Sequence, residues 1–252
     1  MVRHTATDQI VNIHTNMAEW LPCGSPLAPA DLLKIQAWFS PSFPVGAFGY
    51  SHGLEWVVES GEVRHAGSLA AWIDGVLRHG AGRSDAILLC AAWRAVSSRD
   101  WETAREVDSL AAALQPTEER RLESLGQGTA FLSSVAGAWP HPTLDRFRAA
   151  CPGQTAFPVA AGAAAAVHGL PLDAVLIACL QSFAGNLVSA GVRLVPLGQT
   201  DGLKTMVALE PAILDIAQEA RAAELGDVGS AGFLTDIASM CHETQYTRLF
   251  RS

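Results

Sequence analysis

Lysine is scarce in this chain of 252 residues, in which only Lys34 and Lys204 stand beside fifteen arginines. The formal net charge is −8, and no segment gathers basic residues. Nucleic acids and anionic membrane surfaces attract proteins that carry clustered positive charge. We therefore expect neither a nucleic acid nor a membrane among the partners of this protein.

Cysteine pairs at the spacing of a metal site or a disulfide framework are also missing. The five cysteines are far apart, with no C-x-x-C among them: Cys23, Cys90, Cys151, Cys179 and Cys241. An odd, dispersed set of this kind is typical of a protein from a reducing compartment. The N-terminal residues also lack the continuous apolar stretch of a signal peptide. Together these absences predict a cytoplasmic location.

Sequence motifs of common enzyme classes are absent. The chain contains no G-x-x-x-x-G-K-[ST] phosphate loop, no G-x-S-x-G nucleophile motif and no H-E-x-x-H metal motif. Ser51 and His52 are adjacent, and adjacent side chains point apart, which suits a nucleophile and its base poorly. We therefore predict a protein that is not an enzyme and has no firmly bound cofactor. The alternative is a hydrolase built from Ser51, His52 and Glu55.

A second alternative is metal binding near the C-terminus. In Cys241-His242-Glu243 a thiol, an imidazole and a carboxylate adjoin. Cys241 and His242 carry donor atoms that bind divalent metals, but neighbours in sequence cannot close a tetrahedral site alone. The pattern is more typical of the polar end of a helix than of a metal centre.

Helical periodicity is what the sequence does contain. Leu69, Trp72, Ile73, Val76 and Leu77 follow the spacing of one helix face, and no long stretch alternates with period two. We therefore predict an all-α, single-domain helical bundle of about ten helices. The predicted divisions are a flexible N-terminal segment at residues 1–30, a helical domain at residues 31–240 and a partner-binding C-terminal tail at residues 241–252.

Capping and proline signals predict where the helices begin. Ser84, Asp100 and Thr117 precede helical patterns with acidic residues in the first turn and are predicted N-caps. First helical turns are also predicted at three prolines: Pro158, Pro171 and Pro211. Residues 192–202 are predicted to form a non-helical loop.

Residues 174–192 carry no charge and approach the length of a membrane span. Polar side chains nevertheless recur along one side at helical spacing: Gln181, Ser182, Asn186 and Ser189. Buried amides and hydroxyls in this pattern favour a central helix enclosed by other helices.

The opening loop, residues 40–55, reads SPSFPVGAFGYSHGLE. Its prolines restrict φ and its glycines allow close backbone approach, so it can hold a rigid surface against a partner at low entropic cost. Ser51 is the predicted N-cap of a helix over residues 53–59. Phe43 and Phe48 are expected in the core, whereas Tyr50 suits either the core or a partner contact.

Four segments, in order along the chain, resemble the urease accessory protein UreF family. They are residues 40–55, 157–162, 186–202 and 242–252, the last of which reads HETQYTRLFRS. The resemblance covers about residues 31–252. It implies an all-helical homodimer that is not itself a catalyst. It also implies binding to UreD (also called UreH), recruitment of the GTPase UreG and docking on urease apoprotein for nickel insertion.

The expected function is therefore that of a scaffold which can also modulate the GTPase, and the alternative is a metallochaperone that binds nickel directly. Arg193 is the only charge between Asp173 and Asp201. The resemblance places Arg193 on the face proposed to meet UreG, and the rival interpretation is a salt bridge to Glu55. Gln199 and Asp201 are expected to orient or cap the helix that follows.

The C-terminal tail combines aromatic, apolar and cationic side chains at a free end, so we expect it to dock on UreD. Packing onto its own dimer is the alternative. The full set of candidate partner-binding residues is Tyr50, Ser51, Glu55, Arg193, Gln199, Asp201, Glu243, Tyr246, Arg248, Leu249 and Phe250.

Overall fold

The structure is a computed structural model that describes residues 27–252. This part of the chain contains eleven α-helices, two short 3-10 helices and no β-strand. The α-helices are α1 (Pro29–Trp38), α2 (Leu54–Glu59), α3 (Ala66–His79), α4 (Ala81–Ser98), α5 (Trp101–Ala113), α6 (Glu118–Ala138), α7 (Pro142–Ala150), α8 (Phe157–Val167), α9 (Leu172–Leu194), α10 (Gln199–Ala222) and α11 (Phe233–Glu243). The prediction of an all-α fold with about ten helices is confirmed. Of the predicted flexible segment, residues 1–26 lie outside the described residues.

The centre of the bundle is α8, an alanine-rich helix that is buried along most of its length. It packs mainly against α4 and α6. Small residues let these helices approach closely, because a Cβ added to Gly162 would lie 2.3 Å from the Leu89 carbonyl oxygen of α4. Just before α8, the Thr155 carbonyl oxygen would lie 2.0 Å from a Cβ added to Gly128 of α6. Both close contacts therefore require glycine.

The charge-free stretch lies in α9, which is long and apolar enough to cross a membrane by length and composition alone. It contacts α1, α2, α3, α4, α8 and α10, which are the neighbours of a core helix. Its polar side is not buried as predicted, since Gln181 is exposed and Ser182, Asn186 and Ser189 are half-buried. The reason is that this side borders an open cavity and not another helix.

Two of the four predicted N-caps, Asp100 and Thr117, are confirmed. The Asp100 and Thr117 side chains each accept the backbone N–H three residues later, at 3.1 and 3.2 Å. The prediction for Ser84 is wrong, because α4 already begins at Ala81. The Ser84 hydroxyl instead donates to the Gly229 carbonyl oxygen at 2.9 Å.

Proline marked two of the three predicted helix starts. Pro158 lies in the first turn of α8, and Pro171 directly precedes α9. Pro211 does not start a helix but lies inside α10. Because proline has no N–H, the Val207 carbonyl oxygen lacks its helical hydrogen bond from position 211. Both residues are exposed, so water can donate to this carbonyl instead.

The predicted loop over residues 192–202 is mostly helical. α9 continues to Leu194 and α10 begins at Gln199, so only residues 195–198 separate them. Pro196 and Gly198 fall inside this short gap, and they interrupt the helical pattern for four residues only.

Candidate partner-binding surface

The opening loop and the C-terminal tail are bound to each other. The Ser51 backbone N–H and hydroxyl both donate to the Ser252 carbonyl oxygen, at 2.7 and 2.5 Å. The Arg251 N–H donates to the Gly49 carbonyl oxygen at 2.8 Å. The tail is therefore folded onto its own chain, which corrects the expectation of a free end, while its docking on UreD stays a prediction.

The prediction that Ser51 is the N-cap of α2 is wrong. The cap residue is Gly53, in the left-handed region at φ 73°, and no side chain caps this helix. The Glu55 N–H lies 3.4 Å from the Ser51 hydroxyl oxygen, a long contact beside the 2.5 Å bond to Ser252. A Cβ on Gly53 would lie 2.7 Å from the Ser239 backbone nitrogen, so this glycine also lets α2 meet α11.

Glu55 is buried beneath the tail and fixes its backbone. One carboxylate oxygen accepts the Leu249 N–H at 2.7 Å, and the other accepts the Phe250 N–H at 2.9 Å. The second oxygen also lies 3.3 Å from His242 Nε2. Glu55 therefore does not form the salt bridge to Arg193 that was the rival interpretation. Arg193 bonds to other groups instead.

His242 links two acidic side chains inside the protein. Its ring has no exposed surface, and Nδ1 lies 2.7 Å from a Glu119 carboxylate oxygen. Glu119 also accepts Arg248 Nη1 at 2.5 Å. Both ring nitrogens of His242 thus face carboxylates, while Cys241 is half-buried beside them in sequence. Within residues 27–252 no group of three or more histidine, cysteine, aspartate or glutamate side chains is placed to hold a metal ion.

Arg193 is clamped between two aromatic rings. Its guanidinium carbon lies 3.6 Å from the centre of the Phe48 ring and 4.3 Å from that of Phe250. Its Nη2 and Nε donate to the Phe48 and Ser189 carbonyl oxygens at 3.0 and 3.2 Å. Arg193 nevertheless remains exposed, so one face of the clamp is open to a partner.

The two phenylalanines expected in the core behave differently. Phe43 is half-buried and packs on Phe131, with ring centres 5.3 Å apart. Phe48 is 65% exposed, so its assignment to the core is wrong. Its ring covers the Arg193 guanidinium instead of the core. Phe250, by contrast, is only 4% exposed.

The candidate partner-binding residues fall into an exposed and a buried group. Ser51, Glu55 and Phe250 are buried, which corrects the expectation that their side chains reach a partner directly. Tyr50 and Asp201 are half-buried, and Asp201 accepts the Gly198 N–H at 3.3 Å, so its predicted capping of α10 is confirmed. The exposed residues are Arg193, Gln199, Glu243, Tyr246, Arg248 and Leu249. For every residue of the candidate set, partner binding stays a prediction.

A buried ionic cluster beneath the tail was missed by the sequence interpretation. Glu123 accepts Arg120 Nη1 at 2.6 Å, the Ser252 hydroxyl at 3.0 Å and Gln127 Nε2 at 3.0 Å. Burial opposes its ionisation, but the neighbouring His52 and Arg120 and the hydrogen bond from Ser252 hold the pKa of Glu123 well below its usual range. The only available signal was the spacing of Arg120, Glu123 and Gln127 on one face of a capped helix.

His52 belongs to this cluster and not to a catalytic pair. Its Nε2 lies 2.8 Å from a Glu123 carboxylate oxygen and contacts Arg120. Burial and the Arg120 charge lower the pKa of His52. The Ser51 hydroxyl is bonded to Ser252, and the Glu55 carboxylate to the tail backbone. The three residues of the hydrolase alternative therefore do not form a nucleophile and base.

A cavity of roughly 910 Å³ lies beside the cluster, between α1, the opening loop and α9. Aromatic side chains such as Trp38 and Phe43 line its walls, and the polar side of α9 borders it. Asp85 reaches it from α4, and burial raises the pKa of Asp85 to about 6. The cavity therefore has apolar walls and a polar floor.

Comparison with known proteins agrees with the resemblance. A sequence model of the family described as UreF matches residues 63–210. Urease accessory protein UreF of Rhodopseudomonas palustris (strain BisB5) is 51% identical over 223 residues, which cover 88% of this chain and 92% of that protein. The protein of that name from Xanthobacter autotrophicus (strain ATCC BAA-1158 / Py2) is 51% identical over 225 residues, covering 89% and 93%. Its namesake from Methylorubrum populi (strain ATCC BAA-705 / NCIMB 13946 / BJ001) is 46% identical over 222 residues, covering 88% and 99%. The chain therefore belongs to the UreF family of urease accessory proteins.

Proposed function

We propose that this protein is a non-enzymatic scaffold of urease maturation, which with UreD (UreH) brings the GTPase UreG to urease apoprotein for nickel insertion. In this proposal it works in the cytoplasm as a homodimer. The relatives named above are urease accessory proteins, which supports a role in urease maturation. The specific partners come from the family resemblance.

The observation that carries the proposal is the clamp of Arg193 between the opening loop and the tail. An arginine with an exposed aromatic ring is the kind of group that dominates the energy of protein interfaces. Glu55 and Ser51 fix the backbone below it through bonds that are internal to the chain. Because these groups are already ordered, a partner that binds here avoids about 0.5–1.5 kcal/mol of ordering cost per side chain.

The same clamp indicates how this protein would influence a GTPase. An arginine finger must reach the γ-phosphate with free guanidinium donors. Arg193 instead donates to the Phe48 and Ser189 carbonyl oxygens and lies between two rings. We therefore propose that Arg193 acts by positioning UreG and not by stabilising phosphate charge.

Point variants of exposed residues test the proposal better than deletion of the tail, because deletion would also remove the buried Phe250 and Ser252. The variants are Arg193→Ala, Tyr246→Ala and Leu249→Ala, compared with Leu122→Ala, an exposed leucine on α6. Each tagged variant would be used to capture purified UreD and UreG, and urease activation would be assayed in cells supplied with nickel.

We expect Arg193→Ala to lose UreG, and Tyr246→Ala and Leu249→Ala to weaken UreD binding. Leu122→Ala should capture both proteins and activate urease as the unmodified protein does. If all three surface variants retained both partners and full urease activation, the proposed surface would be wrong.

A further inference from the structure

The cavity beside α9 contains one acidic side chain that has no partner among the described residues. Of the described side chains that line this cavity, those with a charge at pH 7.5 are Asp85, Arg120 and Glu123, because burial lowers the pKa of His52. Arg120 and Glu123 form an ion pair, in which Nη1 lies 2.6 Å from a carboxylate oxygen. The Arg120 charge acts on Asp85 without a hydrogen bond. The cavity therefore carries an uncompensated negative charge at Asp85.

Aromatic walls lie close to this charge. Burial, and then the Asp85 carboxylate, raise the pKa of the Cys179 thiol of α9, so Asp85 adjoins this helix. Phe183 lies one turn further along the same face of α9, and its ring centre is 4.8 Å from that of His52. Trp38 lines the cavity from α1. Aromatic rings attract organic cations through their faces, so this part of the cavity favours positive charge twice over.

We propose that this cavity binds a small organic cation, with an ammonium or guanidinium group on the Asp85 carboxylate and an apolar body between the aromatic walls. Its volume of roughly 910 Å³ is that of a small-molecule site, which typically measures about 300–1,000 Å³. A bound cation would remove the cost of leaving a buried carboxylate without a counter-charge. This ligand is distinct from the protein partners proposed above.

Other ligand classes fit the cavity less well. A bare metal ion would leave most of the volume and the aromatic walls without a role. An anion would be repelled by Asp85, and the one cationic side chain of the cavity, among the described residues, is already paired with Glu123. A neutral apolar molecule would leave the Asp85 carboxylate unpaired. Burial raises the pKa of Asp85 only to about 6, so the carboxylate is ionised and able to pair with a cation at pH 7.5.

A ligand in the cavity would also contact the opening loop. Phe43 and Phe48 of that loop line the cavity, and the Phe48 ring covers the Arg193 guanidinium from the other part of the structure. An occupied cavity would therefore hold the loop from below. Because the ligand binds only the folded chain, it would also raise the temperature at which the protein unfolds.

Three probes of matched shape test the proposal: 2-phenylethylammonium, neutral 2-phenylethanol and anionic 3-phenylpropionate. Each would be titrated at pH 7.5 into the full chain, with the backbone amide NMR shifts of α9 as the readout. We expect the ammonium probe to shift the Ala178 and Phe183 amides at millimolar concentration. The alcohol should bind at least about tenfold more weakly, because a bond to a charged acceptor is lost, and the anion should bind less still.

Two variants locate the charge that matters. Asp85→Asn keeps the shape of the side chain but removes its charge, and Asp145→Asn makes the same change at an exposed position of α7. Asp85→Asn should bind the ammonium probe at least about tenfold more weakly and the alcohol unchanged, whereas Asp145→Asn should bind both as the unmodified protein does.

Several results would overturn the proposal. They are equal binding of the ammonium and the alcohol, an unchanged ammonium affinity in Asp85→Asn, shifts confined to residues outside the cavity walls, and no saturable binding at millimolar concentration. If Asp85→Asn does not fold, the comparison of the three probes on the unmodified protein still decides. None of these measurements involves UreD or UreG, so their outcome is independent of the proposed scaffold role.

Discussion

The carboxylate of Glu55 accepts the backbone N–H of Phe250 at 2.9 Å, across 195 positions of sequence. Its other oxygen accepts the N–H of Leu249, so one glutamate orients two successive peptide groups. Hydrogen bonds to a charged acceptor are roughly twice as strong as neutral ones. The position of the tail over the opening loop therefore rests largely on this buried side chain.

Glu55→Gln should loosen the tail without unfolding the bundle. Glutamine has one acceptor oxygen, and its amide group would confront an N–H donor from the tail. We expect the Leu249 and Phe250 amides to exchange faster and the free energy of unfolding to fall by about 1–3 kcal/mol. Glu62→Gln, at an exposed position, is the control. Unchanged exchange at Leu249 and Phe250 would contradict the assigned role of Glu55.

Two glycines of α6 should respond in opposite ways to the same substitution. Gly128→Ala places a Cβ 2.0 Å from the Thr155 carbonyl oxygen, so the backbone must move, and we expect a loss of at least about 2 kcal/mol. Gly126→Ala meets no atom within 4 Å and should gain up to about 1 kcal/mol from helix propensity. Urea unfolding of both variants measures the difference, and equal effects would refute the close contact.

Asp85 should make the protein less stable as the pH rises. Burial raises its pKa to about 6 from 3.8, so the folded protein binds the proton more tightly than the unfolded chain. Stability from this group is therefore full at low pH and is lost as the pH rises through about 6. Asp85→Asn should gain about 1 kcal/mol or more at pH 7.5 and little at pH 3, below the pKa of the unfolded chain. The exposed Glu106→Gln serves as control, and a pH-independent effect of Asp85→Asn would contradict this assignment.

His242 should not supply a tight nickel site in the isolated protein. Both of its ring nitrogens lie near carboxylates, at 2.7 and 3.3 Å, and a metal would have to displace them. Equilibrium dialysis of nickel against the unmodified protein and His242→Ala should show no stoichiometric binding that depends on His242. Tight binding that disappears in His242→Ala would favour the metallochaperone alternative.

Local signals in the sequence predicted the fold well, because helix periodicity and capping depend on residues a few positions apart. Asp100 and Thr117 cap as expected, since each needs only a backbone N–H three residues later. The predictions that helices begin at Ser84 and Pro211 were wrong, because tertiary packing extends α4 and α10 across these positions.

The candidate site was predicted only in part, because its contacts join distant parts of the chain. The sequence left open whether Arg193 is exposed or paired with Glu55, and no local pattern shows that Phe48 and Phe250 would enclose it. The pairing of Glu55 with the tail, and of Glu123 with Ser252, links positions more than a hundred residues apart. Such pairs cannot be read from spacing, since any of several carboxylates could have occupied the same place.

The bond between Ser51 and Ser252 also constrains the order of events during synthesis. The two residues are separated by 201 positions, so the opening loop leaves the ribosome long before the tail that binds it has been synthesised. Until then the acceptor side of Glu55 and the polar face of α6 have no tail to bind, although the helices around them can already pack. The core helices can therefore pack before the opening loop and the tail meet, so the surface around Arg193 is completed later in synthesis than the core beneath it.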